Sequence, residues 1–80
     1  MKGMNAGFDI IAHEVFYEDD ELEYGYAVGK KHHQYGTEYV TWEFKKVNGT
    51  YDFYWGHYFN DRDAAFRDYH SRLFIEYKEE

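Results

Sequence analysis

Seven carboxylates, Asp9, Glu14, Glu18, Asp19, Asp20, Glu21 and Glu23, lie between Lys2 and Lys30 with no lysine or arginine among them. Their summed charge equals the formal net charge of −7 for all 80 residues. Carboxylates so concentrated make a local negative field, which selects partners and association rates more than it selects a fold. Their natural chemistry is ion pairing with arginine or lysine. Duplex DNA carries one charge per roughly 1.7 Å of axis, so Glu18-Asp19-Asp20-Glu21 in a single loop is a crude surrogate for phosphates. The competing reading is simpler: acids at a turn and along a strand edge keep an aromatic-rich chain dispersed and discourage strand addition.

Other chemistry finds less support. Five histidines are present, at 13, 32, 33, 57 and 70, without a cysteine and without HxxxH or HExxH spacing. His13, His57 and His70 fall on predicted inward positions and could converge as ligands. Neutral core histidines bonded to backbone or to a tyrosine hydroxyl are the commoner outcome, and no metal and no cofactor are expected. Glu14 and Glu23 can be paired as an acid and a base, but an open sheet face does nothing to separate their proton affinities. Ser71 stands alone on a helix, and no glycine-rich phosphate loop occurs. The chain is expected not to be an enzyme.

The elements that must carry these side chains read from turn signals and periodicity. Val47-Asn48-Gly49-Thr50 predicts a two-residue type I′ hairpin, because both central residues need positive φ. That turn sets Lys45 opposite Asp52, Phe44 opposite Phe53, Trp42 opposite Trp55, Val40 opposite His57 and Tyr39 opposite Tyr58. A loop at Glu18-Asp19-Asp20-Glu21 likewise sets Tyr17 opposite Leu22, Val15 opposite Tyr24, His13 opposite Tyr26 and Ile11 opposite Val28. Residues 29–36 read as the loop joining the two hairpins.

From Asn60 the period becomes helical. Asn60 is the expected N-cap, Asp61 and Asp63 suit the positive end of the helix dipole, and Phe66, Tyr69, His70, Leu73, Phe74 and Tyr77 form one stripe. Sixteen helical residues reach about 24 Å, enough to cross four strands. The expected fold is α+β: a four-stranded antiparallel meander with one C-terminal helix packed on one face, ββββα, in a single domain over 1–80. Ten tyrosines, seven phenylalanines and two tryptophans supply the core that a small disulfide-free domain needs. Trp55 and Phe59 are expected to face it.

One helix covers one face. The other is expected to display Phe16, Tyr39, Tyr54 and Tyr58 beside Glu14, Glu23, Thr41 and Glu43, a mixture suited to protein contact. With the acidic loop, this defines the expected partner-binding set: Glu14, Phe16, Glu18, Asp19, Asp20, Glu21, Glu23, Tyr39, Glu43, Tyr54 and Tyr58. Nucleic acid is not an expected direct partner, because lysines and arginines are scattered among sixteen acids. Anionic membranes are disfavoured on the same ground. No stretch approaches the ~20 apolar residues of a span, and no apolar leader is evident, so a cytoplasmic protein is expected.

The acidic run Glu18 to Glu23, the strand Tyr39-Val40-Thr41-Trp42-Glu43-Phe44 and the run Tyr54-Trp55-Gly56-His57-Tyr58-Phe59 give the chain a general character. In it the chain resembles small acidic phage and mobile-element proteins that block host defence, anti-CRISPR inhibitors in particular. The resemblance implies a stoichiometric inhibitor in a host bacterial cell, with DNA mimicry as one way such an inhibitor acts. Its partner would be a basic surface of a host protein or nucleoprotein complex such as a CRISPR effector. A self-associating protein that dimerises through the outer sheet face is the alternative, so monomer and homodimer both remain open at this point.

Overall fold

The computed structural model describes residues 3–78, with the side chains of Tyr77 and Lys78 outside that description. Five antiparallel strands follow in chain order: β1 (Met4–Asn5), β2 (Phe8–Glu18), β3 (Leu22–His33), β4 (Gly36–Val47) and β5 (Thr50–Phe59). The helix α1 (Arg62–Lys78) follows β5. The expected α+β class holds, but the four-strand count does not: Met4–Asn5 adds a short strand against Phe8 and Asp9, and the sheet curls into a nearly closed, barrel-like form.

Both hairpin turns anticipated at the acidic end form. Asn48 and Gly49 take φ of 50° and 83°, the left-handed pair that a type I′ turn demands. Asp19 organises the other turn, its Oδ1 accepting the backbone N–H of Glu21 at 2.9 Å and of Leu22 at 3.0 Å. Glu18 therefore ends β2 and is not a loop residue. The expected 29–36 loop is absent: β3 and β4 pair without interruption from Leu22↔Val47 to His33↔Gly36, leaving only Gln34 and Tyr35 as the turn. His32 and His33 serve that turn, through His32 Nδ1 and Thr37 Oγ1 at 2.9 Å and the Tyr35 N–H donating to His33 Nδ1 at 3.2 Å.

This ladder overturns the expected division of faces. It sets Tyr26 opposite Glu43 and Val28 opposite Thr41, so the first hairpin's apolar positions share a face with the second hairpin's polar ones. Bulges adjust the remaining registers. Breaks at Ile11 and Phe16 shift β2 so that Tyr17 meets Tyr24, Val15 meets Gly25 and His13 meets Ala27. A break between Thr41 and Glu43 shifts β5 so that Thr41 meets His57, Val40 meets Tyr58 and Tyr39 meets Phe59.

Two cores result, one on each side of the sheet. On the concave side Phe8, Ala27, Val40, Trp42 and Phe44 are buried, with Ile10, Val15 and Phe53 packed against them. Gly25 and Gly29 on β3 make room for those rings. A Cβ at Gly25 would stand 2.5 Å from the Phe44 ring and 2.4 Å from the Glu14 carbonyl, and one at Gly29 would stand 2.8 Å from the Trp42 ring. Missing side chains on one face let the sheet coil tightly around large rings from the next strand. On the other side α1 packs Ala65, Tyr69 and Leu73 onto Tyr26, Val28 and Tyr39. Asp61, one residue beyond the expected cap, receives the Ala64 N–H on its Oδ2 at 3.1 Å. His70 and Phe74, expected on the inner stripe, are exposed.

Candidate functional site

The eleven residues expected to bind a partner separate into three groups. Glu18, Asp19, Asp20 and Glu21 are exposed at one end of the sheet. The Asn48-Gly49 turn lies beside them, linked by the Asn48 N–H to the Glu21 carbonyl at 3.4 Å. Together with Leu22, Glu23 and Lys46 the two turns border a shallow recess of about 260 Å³. Glu23 is half-buried and pairs with Lys46 at 3.7 Å, which removes one of the acids from the free field. Hydrogen bonds from the Glu21 N–H and the Tyr17 hydroxyl hold Asp19 below its ordinary carboxylate value. Asp19 therefore builds the turn, and Glu18, Asp20 and Glu21 are its outward charges.

The second group lies on the helix-covered side. Tyr39 is buried, and Phe16 is half-buried, stacked on Tyr24 and Tyr26 with ring centres at 6.2 and 5.3 Å. Glu43 is a hub rather than a rim charge: its Oε2 accepts the Tyr54 hydroxyl at 2.9 Å and its Oε1 lies 3.3 Å from the Tyr26 hydroxyl. Tyr26 also reaches Glu76 on the helix at 2.9 Å. Burial, followed by the bond to Glu76, pushes the Tyr26 phenol well above its ordinary value. Burial and then the bond to Glu43 do the same to Tyr54. The expected open face of Phe16, Tyr39 and Tyr54 is thus covered, because the helix lies on it. Glu14 stays exposed on β2, and Tyr58 is exposed on the opposite side, its ring 6.3 Å from Phe8. Self-association through the outer face would have to displace α1.

An ionic seam that sequence reasoning missed runs between α1 and β4–β5. Asp68 Oδ2 accepts the Thr41 hydroxyl at 2.6 Å and lies 3.0 Å from His57 Nδ1. Arg72 pairs with Asp68 through Nε at 3.6 Å, and its Nη2 is 2.8 Å from His57 Nε2. These contacts are mutually consistent when Nδ1–H of His57 donates to Asp68 and Nε2 accepts from Arg72. The Arg72 Nη2 also donates to the Trp55 carbonyl at 2.7 Å, and the guanidinium carbon lies 5.5 Å from the centre of the Tyr26 ring. The signal in the sequence was the i, i+4, i+8 series Asp68, Arg72, Glu76, one charged stripe along the helix. Its partners, Tyr26 on β3, Thr41 on β4 and Trp55 and His57 on β5, are distant along the chain, so the spacing alone does not assign it a role.

Both ring nitrogens of the exposed His57 have partners within the protein, Nδ1 on Asp68 and Nε2 on Arg72. Among the described residues no group of three or more His, Cys, Asp or Glu side chains is arranged to hold a metal ion, and no helix is long and apolar enough to cross a membrane.

Trp55, expected in the core, is instead 74% exposed, and its φ of 52° is left-handed. It occupies the β5 bulge opposite Trp42, with the Tyr54 ring edge-on at 5.5 Å. No protein-family model matches the chain, and neither the curated proteins nor the solved structures contain a significant match to it.

Proposed function

We propose that this chain is a non-enzymatic binding protein that docks its β2–β3 acidic turn against a basic surface of a larger protein. The observation that carries the reading is the concentration of Glu18, at the end of β2, with Asp20 and Glu21, all exposed, about a turn that Asp19 pre-organises. A rigid turn pays little ordering entropy on binding, so its charges can be used for pairing. The resemblance to anti-CRISPR inhibitors makes a phosphate-binding cleft of a nucleic-acid-guided nuclease complex the partner surface we favour. Such a target would put the protein in the cytoplasm of a bacterial host. In this reading the sheet-face aromatics Tyr39, Tyr54 and Phe16 support the fold rather than the contact.

The test is affinity for a purified RNA-guided nuclease complex, measured against salt and in competition with target DNA. Asp19 is left intact so that the turn persists. The triple reversal E18K/D20K/E21K is expected to weaken binding at least tenfold, and raising salt is expected to weaken the unaltered protein. Binding indifferent to both changes, or no competition with DNA, would reject the proposal.

A further inference from the structure

Among the described residues Trp55 is the one large side chain that is both on a left-handed backbone and mostly exposed. A left-handed backbone is strained for an aromatic residue, and an indole 74% exposed forgoes most of its burial energy. Glycine would remove the first cost, and any polar residue the second. A one-residue slip that moved Gly56 into the left-handed position would set a side chain against Trp42 in its place, where an added carbon would stand a tight 3.2 Å from the indole. The bulge explains why some residue has positive φ at 55. It does not explain why that residue is tryptophan.

The surroundings hold the Trp55 backbone in place. Its carbonyl is tied to Arg72, Arg72 to Asp68 and His57, and Asp68 to Thr41. Tyr54, whose ring is edge-on to the indole, is itself pinned through its hydroxyl to Glu43. Backbone strain persists where neighbours over-determine it, and such sites concentrate at points of function. β5 pairs only with β4 among the described strands, and the bulge interrupts its outer edge, so side-chain contact rather than strand addition is the mode open to it. Tryptophan, tyrosine and arginine dominate contact energies where proteins meet.

We infer that Trp55 is a pre-organised docking residue whose face receives an arginine or lysine side chain of a basic partner protein. Indole is the strongest aromatic acceptor for a cation. The net charge of −7 attracts such a partner, and Arg72, the cation bonded to the Trp55 backbone, is paired with Asp68. The inference deepens the proposed function and rests on its reading of the partner as basic, but it assigns the contact to a different residue and a different part of the sheet.

The experiment follows the two indole N–H resonances of the full chain while a hexa-arginine peptide is added. Trp42 is 4% exposed and serves as the internal reference. The Trp55 resonance is expected to shift on binding while Trp42 stays fixed. Trp55→Gly is expected to lose at least tenfold in peptide affinity yet unfold at a temperature equal to or above that of the unaltered protein, because strain is relieved. E18Q/D20N/E21Q is expected to weaken the peptide while leaving the Trp55 shift at saturation. A bound peptide that leaves Trp55 unmoved, an unchanged affinity in Trp55→Gly, or no binding at all overturns the inference. If the turn variant alone loses binding, the acidic-turn reading stands and this one falls; if Trp55→Gly alone loses it, the reverse holds.

Discussion

The two faces of this sheet are held by different physics. The concave face is aromatic: Phe44 is fully buried with its ring 5.8 Å from Phe53, Phe53 lies 5.3 Å from Trp42, and Trp42 lies 5.7 Å from Phe8. Its cohesion is non-directional and depends on volume. The helix-covered face divides into an apolar half around Val28, Ala65, Tyr69 and Leu73 and an ionic half around Asp68, Arg72, His57, Glu43 and Glu76. There the bonds are directional. The first face makes the sheet curl; the second fixes where the helix lies and how the Trp55 bulge is oriented.

Substitutions that test this contrast should separate by size. Gly25→Ala is expected to abolish folding, since the added carbon meets both a backbone carbonyl and the Phe44 ring; loss of dispersed amide resonances would report it. Phe44→Ala should cost about 3–5 kcal/mol in urea unfolding through the cavity it leaves. A small loss there would mean that the curled face contributes little. On the ionic side Asp68→Ala should cost about 2–3 kcal/mol, because Thr41 and His57 lose a partner and Arg72 keeps an uncompensated charge. It should also broaden the Trp55 backbone resonance while leaving Trp42 sharp. Equal broadening of both would merge the two faces into one cooperative unit.

Smaller effects follow from the phenols. Tyr54→Phe should cost about 1 kcal/mol, the worth of one hydrogen bond to a carboxylate. Because Tyr26 and Tyr54 have folded values above the unfolded tyrosine value near 10, their contribution is complete below that pH and declines as pH rises beyond it. Phenolate absorbance should therefore show two tyrosines that ionise late, together with alkaline unfolding; ten tyrosines titrating as one class would contradict the hub at Glu43. Asp19 works in the opposite direction. Its folded value is depressed, so its support for the turn is present above its ordinary value of 3.8 and declines as pH falls below it. Asp20→Asn should leave stability unchanged within error, as befits a charge exposed on the turn.

The four long strands, the type I′ turn at Asn48-Gly49 and the helix from residue 62 were legible because each rests on local signals, whereas the two-residue β1 was not. Lys45↔Asp52 and Phe44↔Phe53, the pairs next to that turn, were legible for the same reason. Pairs beyond Glu43 were not, because a bulge at Trp55 adds a residue that no periodicity marks. Reading 29–36 as a loop had the larger consequence. It left the two hairpins without a fixed relation, and the apolar positions of both were then assigned to one face. The acidic turn needed no register and could be read directly, whereas the Trp55 site and the ionic seam are products of register and helix placement.

By itself the sequence determined the segregation of charge in residues 3–29, the tight turn at Asn48-Gly49, the helix with its acidic start, and an aromatic content large enough for a core. These are properties of composition and of neighbours along the chain. Only tertiary structure decided that the core is two cores, that Glu43 binds phenols, that Asp68 and Arg72 face inward, and that Trp55 faces outward. Each of those follows from the continuous β3–β4 ladder and from bulges in β2 and β5. A one-residue change of register exchanges the faces of a strand, and that choice is made by long-range packing of Trp42 and Phe44 against Gly25 and Gly29.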